Sequence, residues 1–516
     1  MNTFHSTRSN ADQLTAKQAI RKGIANDGGL FVSDSLGDVQ IDLDAITDKS
    51  YQDIARIVLA ALLPDFTQTE LAECIGGAYG PKWSDSGITP LRPVADDFVL
   101  ELFHGPTSAF KDIALQMLPR LMAKTIAEPS PTAADQSTSD QSNDARTTPA
   151  KERIMILTAT SGDTGKAALA GFSDAPDTAI TVFYPQGQVS PIQQLQMTTQ
   201  LGSNVAVCAV KGNFDDAQSA VKDIFADSDM ATDLYTDSKT ILSSANSINI
   251  GRLFPQVVYY FVAYSRLLTD QVINVGDEVE FCVPTGNFGD VLAGYYAMRM
   301  GLPVAKLIVA SDTNNVLCDF LTTGIYDRNR PFFTTNSPSM DILISSNLER
   351  MLYYLSDGDT ELISSLMTDL KETGRFEIPE TLKNKISQIF SCGWTSEDQV
   401  KSAIHDCWEQ HHYLIDPHTA CGYHVLNDME ADPLTPRILL STASPYKFPR
   451  VVGESLNLKL PDNDFQCMDA VADATGITPP SQLRFLETAP VRFKDVIAIA
   501  DMKNYVRKAS TWANHE

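Results

Sequence analysis

Between residues 154 and 310, five short apolar segments at 154–157, 180–184, 205–210, 279–283 and 307–310 alternate with helix-patterned stretches at 191–201, 215–225 and 291–300. A strand that is apolar along its whole length is buried on both faces, and parallel strands need a helical crossover between them. The alternation therefore predicts a mostly parallel sheet covered by helices. A last apolar segment at 437–440 follows a helix-rich region from 342 to 427. Ahead of the alternating part, residues 12–95 read as mainly helical, with an amphipathic stretch at 14–24, a stop at Gly28-Gly29 and an apolar helix at 54–63 ended by Pro64.

The 516 residues exceed what one core organises, so two or three domains are expected. Residues 128–150 contain no Ile, Leu, Val, Met or aromatic residue and cannot offset their ordering entropy by burial, which reads as a disordered surface insertion. A net charge of −25, from 40 Lys and Arg against 65 Asp and Glu, would be repelled by phosphate backbones and anionic lipid. Nucleic-acid and membrane partners are therefore not expected. The first twenty residues lack the apolar core of a signal peptide, and the near-apolar runs at 57–63 and 257–264 are too short to span a bilayer. Eight scattered Cys without a C-x-x-C pair read as reduced core residues. The expectation is a cytoplasmic protein.

Three segments carry candidate chemistry. In FVLELFHGPTSAFKDIALQMLPRLM (98–122) a strand pattern runs through a Gly-Pro turn into a helix with Lys111 in its first turn. The positive end of the helix dipole disfavours a charged lysine there and leaves more free amine to attack a carbonyl; the ordinary alternative is a solvated helix-start lysine beside Asp112. In VEFCVPTGNFGDVLAGYYAM (279–298) a buried strand, the turn Thr285-Gly286-Asn287-Phe288-Gly289-Asp290 and a helix fit a phosphate cradle of backbone amides. Similar turns also occur in parallel sheets without a ligand. In IMILTATSGDTGKAAL (154–169) the same strand, turn and helix pattern suits a small carboxylate, held by turn amides and the hydroxyls of Thr160, Ser161 and Thr164. Its Gly165-Lys166 does not complete the nucleotide pattern GxxxxGK[ST], because Thr160 and Ala167 stand where Gly and a hydroxyl residue are needed.

Five His, at 405, 411, 412, 418 and 424, lie near Cys407 and Cys421, but no H-E-x-x-H or paired C-x-x-C spacing supports zinc, and no metal is expected. DPHTACGY reads as a turn into a helix. RILLSTASPYKFP (437–449) ends a strand in Ser441, Thr442 and Ser444, where a hydroxyl at the carboxyl end of a parallel sheet could meet a heterocycle nitrogen or simply serve a turn.

Taken together, DGGLFV, HGPTSAFKD, LTATSGDTG, SANSINIGR (244–252), PTGNFGD, DPHTA and STASPYKF resemble threonine synthase, a pyridoxal-phosphate family of the tryptophan-synthase-β fold group. The resemblance covers nearly the whole chain apart from the 128–150 insertion. It implies an α/β protein of fold type II, with two open, mostly parallel sheets flanked by helices and a mainly helical N-terminal domain. The implied divisions are 1–95, a smaller α/β domain at 96–270 and a larger one at 271–516 with helical additions.

By motif, the resemblance makes Lys111 the catalytic, Schiff-base lysine. Gly286, Asn287, Phe288, Gly289 and Asp290 become cofactor ligands, with Thr442 at the pyridine nitrogen. The turn Thr160, Ser161, Gly162, Asp163 and Thr164 would hold the amino-acid carboxylate; several fold relatives carry Asn in place of Asp163. The family reaction converts O-phospho-L-homoserine and water into L-threonine and phosphate, by γ-elimination of phosphate and β-addition of water. Candidates for the substrate phosphate are His104, Thr107, Ser247, Asn249 and Arg252. The protein would act as a monomer or homodimer. Two rivals are a serine or threonine dehydratase, whose lysine motif is usually SFK followed by Arg, and a silent cofactor-binding homologue, which would have lost the lysine or the glycine turn.

Overall fold

The computed structural model describes residues 3–126, 152–160 and 162–512. The 128–150 insertion and Ser161 lie outside the described residues. Each of the five apolar segments forms a strand, and they divide between two sheets. Val496–Ala498, Val205–Lys211, Thr178–Pro185, Arg153–Ala159 and Thr240–Ser243 make a five-stranded, wholly parallel sheet. Thr178–Pro185 is buried at every position, as a strand covered on both faces must be. Phe390–Trp394, Val304–Ser311, Val279–Pro284, Arg437–Ser441, Asp97–Glu101 and Leu91–Val94 make a six-stranded sheet, parallel except for the last pair.

The sheets do not follow the implied divisions of the chain. Asp97–Glu101 pairs with Arg437–Ser441 in the larger sheet, and Val496–Ala498 adds to Val205–Lys211 in the smaller one. Asp97 is held there by Arg437, whose Nε and Nη2 donate to its two carboxylate oxygens at 2.7 and 2.8 Å. The N-terminal helices form at Ala16–Lys22, Tyr51–Leu62 and Gln68–Ala78. The first starts in a capping box between Thr15 and Gln18 and ends at Gly23, with φ of 78°. An antiparallel sheet of Phe4–Ser6, Ser9–Leu14 and Phe31–Val32 accompanies them. Ser9–Leu14 gave no strand signal because SNADQL lacks apolar alternation and is largely exposed.

The helix Ile250–Thr269 is buried at almost every position and packs against Tyr51–Leu62, Lys111–Thr125 and Gly289–Arg299. Lys111–Thr125 also packs against Asp163–Phe172, so closely that a Cβ on Gly171 would stand 1.8 Å from the Leu115 carbonyl oxygen. This contact keeps two helix starts, one bearing Lys111 and the other Asp163, on a common side. A backbone bridge joins the loop before Lys111 to the segment after Arg437–Ser441: Ala109 pairs with Ala443, the Phe110 N–H donates to the Thr442 carbonyl at 2.8 Å, and the Ser444 N–H donates to that of Ser108 at 3.1 Å. Gly171→Ala should therefore lower the urea midpoint by the equivalent of about 1–3 kcal/mol, since a backbone atom must shift to admit the methyl. Gly76→Ala, which meets nothing within 4 Å in the helix Gln68–Ala78, should leave the midpoint unchanged or raise it. Equal shifts for the two variants would remove the close-contact argument.

Candidate active site

Where the bridge meets the sheet, a cleft of about 590 Å³, counting its space open to solvent, is lined by residues that include Lys111, Asp163, Ser247, Arg252, Gly286, Asn287, Phe288, Gly289, Asp290 and Thr442. Lys111 is the first residue of its helix and is buried, with Nζ 4.8 Å from the Phe110 ring centre. Burial pushes its amine down to about 8; Asp163 opposes that shift, and Arg252 and Lys447 add to it. Asp112, next in sequence, holds the preceding turn: it accepts the Thr107 N–H at 2.8 Å and the Thr107 hydroxyl at 2.7 Å. Gly105 is obligatory beside it, because a Cβ there would meet the Asp112 side chain at 2.4 Å.

Asp163 begins the helix Asp163–Phe172, after Gly162 at φ of 146°. It is buried yet charged. Against the upward push of burial, the Lys447 and Lys111 ammoniums hold its carboxyl well below the usual range. Lys447, itself fully buried, reaches Asp163 Oδ1 at 2.6 Å and donates to the Thr107 carbonyl at 3.2 Å. Gln193 Nε2 donates to the same oxygen at 3.0 Å, and Ser339 Oγ donates to Oδ2 at 3.3 Å. Thr160 closes the turn from within, its hydroxyl accepting the N–H groups of Gly162 and Gly165 at 3.0 and 2.9 Å. Thr160, Gly162 and Thr164 are not among the residues lining the cleft.

The glycine turn is built as an anion cradle. Phe288 caps the helix Gly289–Arg299 in the left-handed region, φ 65°, with its ring buried 5.5 Å from that of Phe390. Asn287 Oδ1 accepts the Gly289 N–H at 3.0 Å, while its Nδ2 donates to Ser247 Oγ at 2.7 Å. The backbone N–H groups of Gly286, Asn287 and Phe288 meet no acceptor among the described residues. Asp290 Oδ1 accepts the hydroxyls of Tyr259 and Tyr260, whereas its buried Oδ2 has no partner. Burial pushes this carboxyl up to about 6 against those hydrogen bonds. Arg252 is also buried, which lowers its guanidinium to about 10. It donates from Nη1 to the Ala245 carbonyl at 3.0 Å and faces no carboxylate among the described residues.

Not every sequence candidate reaches the cleft. His104 lies outside it, with Nε2 on Glu101 at 2.8 Å and Nδ1 on Ser84 at 3.0 Å. Asn249 caps the helix Ile250–Thr269 and donates to the Ile20 carbonyl, tying the N-terminal unit to the core. Thr107 serves the turn described above. Conversely, Gln256, Ser339, Met340 and His418 line the cleft without having been anticipated. His418 Nε2 accepts the Ser339 N–H at 3.1 Å, so Nδ1 carries the hydrogen donated to Asp416 at 2.7 Å. The DPHTA turn, with Asp416 as cap two residues before His418, was the signal available for it. Among the described residues no group of three or more His, Cys, Asp or Glu is placed to hold a metal, and no helix is long and apolar enough to cross a membrane.

Residues 98–440 match the family model described as pyridoxal-phosphate dependent enzyme, the class that this fold and cleft define. Residues 3–79 match "Threonine synthase N terminus" and residues 419–506 match "Threonine synthase, C-terminal". The threonine synthase of Eremothecium gossypii is 36% identical over 480 residues, covering 88% of this chain and 89% of that protein. The solved, PLP-bound threonine synthase of Brucella melitensis is similar at TM-score 0.84 and 36% identity, over 99% of this chain and 100% of that one. The yeast threonine synthase structure gives TM-score 0.84 at 31% identity, over 98% of each chain. The chain belongs to the threonine synthase family. Threonine synthase-like 1 of Homo sapiens is 39% identical over 457 residues, 86% of this chain but 58% of that protein, so the chain spans about three fifths of the length of such mammalian relatives.

The buried pair of Lys447 and Asp163 makes a direct prediction. Lys447→Met should cost about 3–5 kcal/mol in denaturant-measured stability by removing the cation in direct contact with a buried carboxylate. The double variant with Asp163→Asn should recover most of that loss; additive losses would show that the pair does not couple.

Proposed function

We propose that the protein converts O-phospho-L-homoserine and water to L-threonine and phosphate in the cytoplasm, as a monomer or homodimer, using pyridoxal phosphate bound in the cleft. The observation that carries this reading is a buried amine with lowered basicity sharing one cleft with three turn amides that meet no acceptor, and an arginine that meets no carboxylate, among the described residues. The residues suit the cofactor: the amides of Gly286, Asn287 and Phe288 at a helix start would take its phosphate, and Lys111 its aldehyde. Thr442, another cleft residue, would meet the ring nitrogen, and Asp290 has one carboxyl oxygen still without a partner. Of the 160–164 turn assigned to the substrate carboxylate, Asp163 is the described residue that lines the cleft, and the Gly162 and Gly165 amides are bonded to the Thr160 hydroxyl. The division at 95 and 270 belongs to the same reading, with strand 97–101 assigned to the larger α/β unit and strand 496–498 to the smaller.

Pyridoxal phosphate supplies an aldehyde that joins an amine and a ring that accepts the electron pair left by proton loss. The chain supplies the proton handling. Lys111 Nζ would take the proton from the substrate Cα and pass it on, then take one from Cβ as phosphate leaves Cγ; protons return to Cγ and to Cα, and water adds its hydroxyl at Cβ while its remaining proton goes to the phosphate. An amine near pH 8 can accept and return protons at neutral pH, which an ordinary lysine does poorly. Asp163, held ionised by Lys447, keeps a negative charge near that amine and limits how far burial lowers it. Of the substrate-phosphate candidates, Ser247 and Arg252 are the ones that line the cleft.

Phosphohomoserine should be turned over, while homoserine should bind without reacting, because hydroxide leaves far less readily than phosphate. Arg252→Gln should raise KM for phosphohomoserine by on the order of a hundredfold, the worth of a charged hydrogen-bonded contact, with little change in homoserine binding. Efficient threonine formation from homoserine would overturn the proposal, and equal losses for both ligands would remove Arg252 from the phosphate site.

A further inference from the structure

The eight cysteines divide by exposure. Cys74, Cys208, Cys282, Cys407, Cys421 and Cys467 are buried, whereas Cys318 and Cys392 are part-exposed. These two come from separate elements: Cys318 from the helix Val316–Thr323, and Cys392 from Phe390–Trp394, the edge strand of the six-stranded sheet. Their Sγ atoms stand 2.8 Å apart, closer than two unbonded sulfurs rest, with the Cys318 thiol donating to Cys392. Thr322, one turn after Cys318, brings its hydroxyl within 3.6 Å of Cys392 Sγ. Two unlike elements thus bring their sulfurs together.

We infer that Cys318 and Cys392 form a reversible peroxide-sensitive dithiol, with Cys392 the attacking sulfur and Cys318 the resolving one. The Cys318 hydrogen bond lowers the Cys392 thiol, while that same bond and burial push Cys318 up, so Cys392 is the sulfur of the pair that ionises more readily. Cys392 thiolate attacks one oxygen of hydrogen peroxide, giving a sulfenic acid and, after proton uptake, water. Cys318 sulfur then attacks the Cys392 sulfur; the S–S bond forms, the S–O bond breaks, and the departing hydroxyl takes the Cys318 proton as a second water. Two thiols lose two electrons and two protons, and one peroxide becomes two waters. The bond staples a strand paired on one side only to the helix beside it.

The full-length protein, treated with hydrogen peroxide near neutral pH and alkylated without reduction, should lose the mass of two hydrogens. It should give a peptide cross-linked between Cys318 and Cys392, which dithiothreitol releases. Cys318→Ser should leave a dimedone-reactive sulfenic acid on Cys392, and Cys392→Ser should leave Cys318 unoxidised at the same dose. Cross-links through other cysteines, direct over-oxidation of Cys392 in the wild-type chain, or no mass change would overturn the inference.

Discussion

The backbone bridge between Ala109 and Ala443 is the constraint on which the site depends. It locks the start of the Lys111 helix to the carboxyl end of Arg437–Ser441, so the amine cannot drift from the sheet that carries Thr442. The loop achieves this at some cost in conformation, since Ser108 sits at φ of 59°. Asp112 and Lys447 offset that cost by binding Thr107 from two sides, through its amide and hydroxyl and through its carbonyl. Lys447 then extends the same scaffold to Asp163, linking the loop of one sheet to the helix start of the other.

A chain of net charge −25 can host anionic ligands only where its own fold concentrates positive potential. Lys111, Arg252 and Lys447 are buried around the cleft with Asp163 and Asp290. Lys447 is committed to Asp163, and the Asp290 carboxyl is drawn toward its neutral form by burial. Arg252 and the free amides of the glycine turn are left to meet incoming anions. Low-dielectric surroundings strengthen each of these interactions relative to water, which is why a few groups suffice against the overall charge.

Much of this was legible in the sequence. The apolar strands at 154–157, 180–184 and 279–283, and the turns following the first and last of them, stand where burial on both faces required them. Strand membership was less legible: the segments at 97–101 and 496–498 are apolar but short, and which sheet each joins is decided by long-range pairing. Within the site, Lys111 and the glycine turn announced themselves through local chemistry. Lys447, His418 and Ser339 did not, because each acts through partners up to hundreds of residues away. His104 and Asn249 stand outside the cleft lining for the converse reason, their polar atoms being taken up by Glu101 and by the Ile20 carbonyl.

The site turns on one buried amine, at Lys111, whose basicity is lowered to about 8; Lys447 is also buried beside it, and the half-buried Lys166 is likewise lowered to about 8. Loading the protein with pyridoxal phosphate, reducing it with borohydride and mapping the peptides tests this directly. Pyridoxyl is expected on Lys111 and is expected to be lost in Lys111→Ala; the label on Lys447 or Lys166 in the wild-type chain would remove Lys111 from that role.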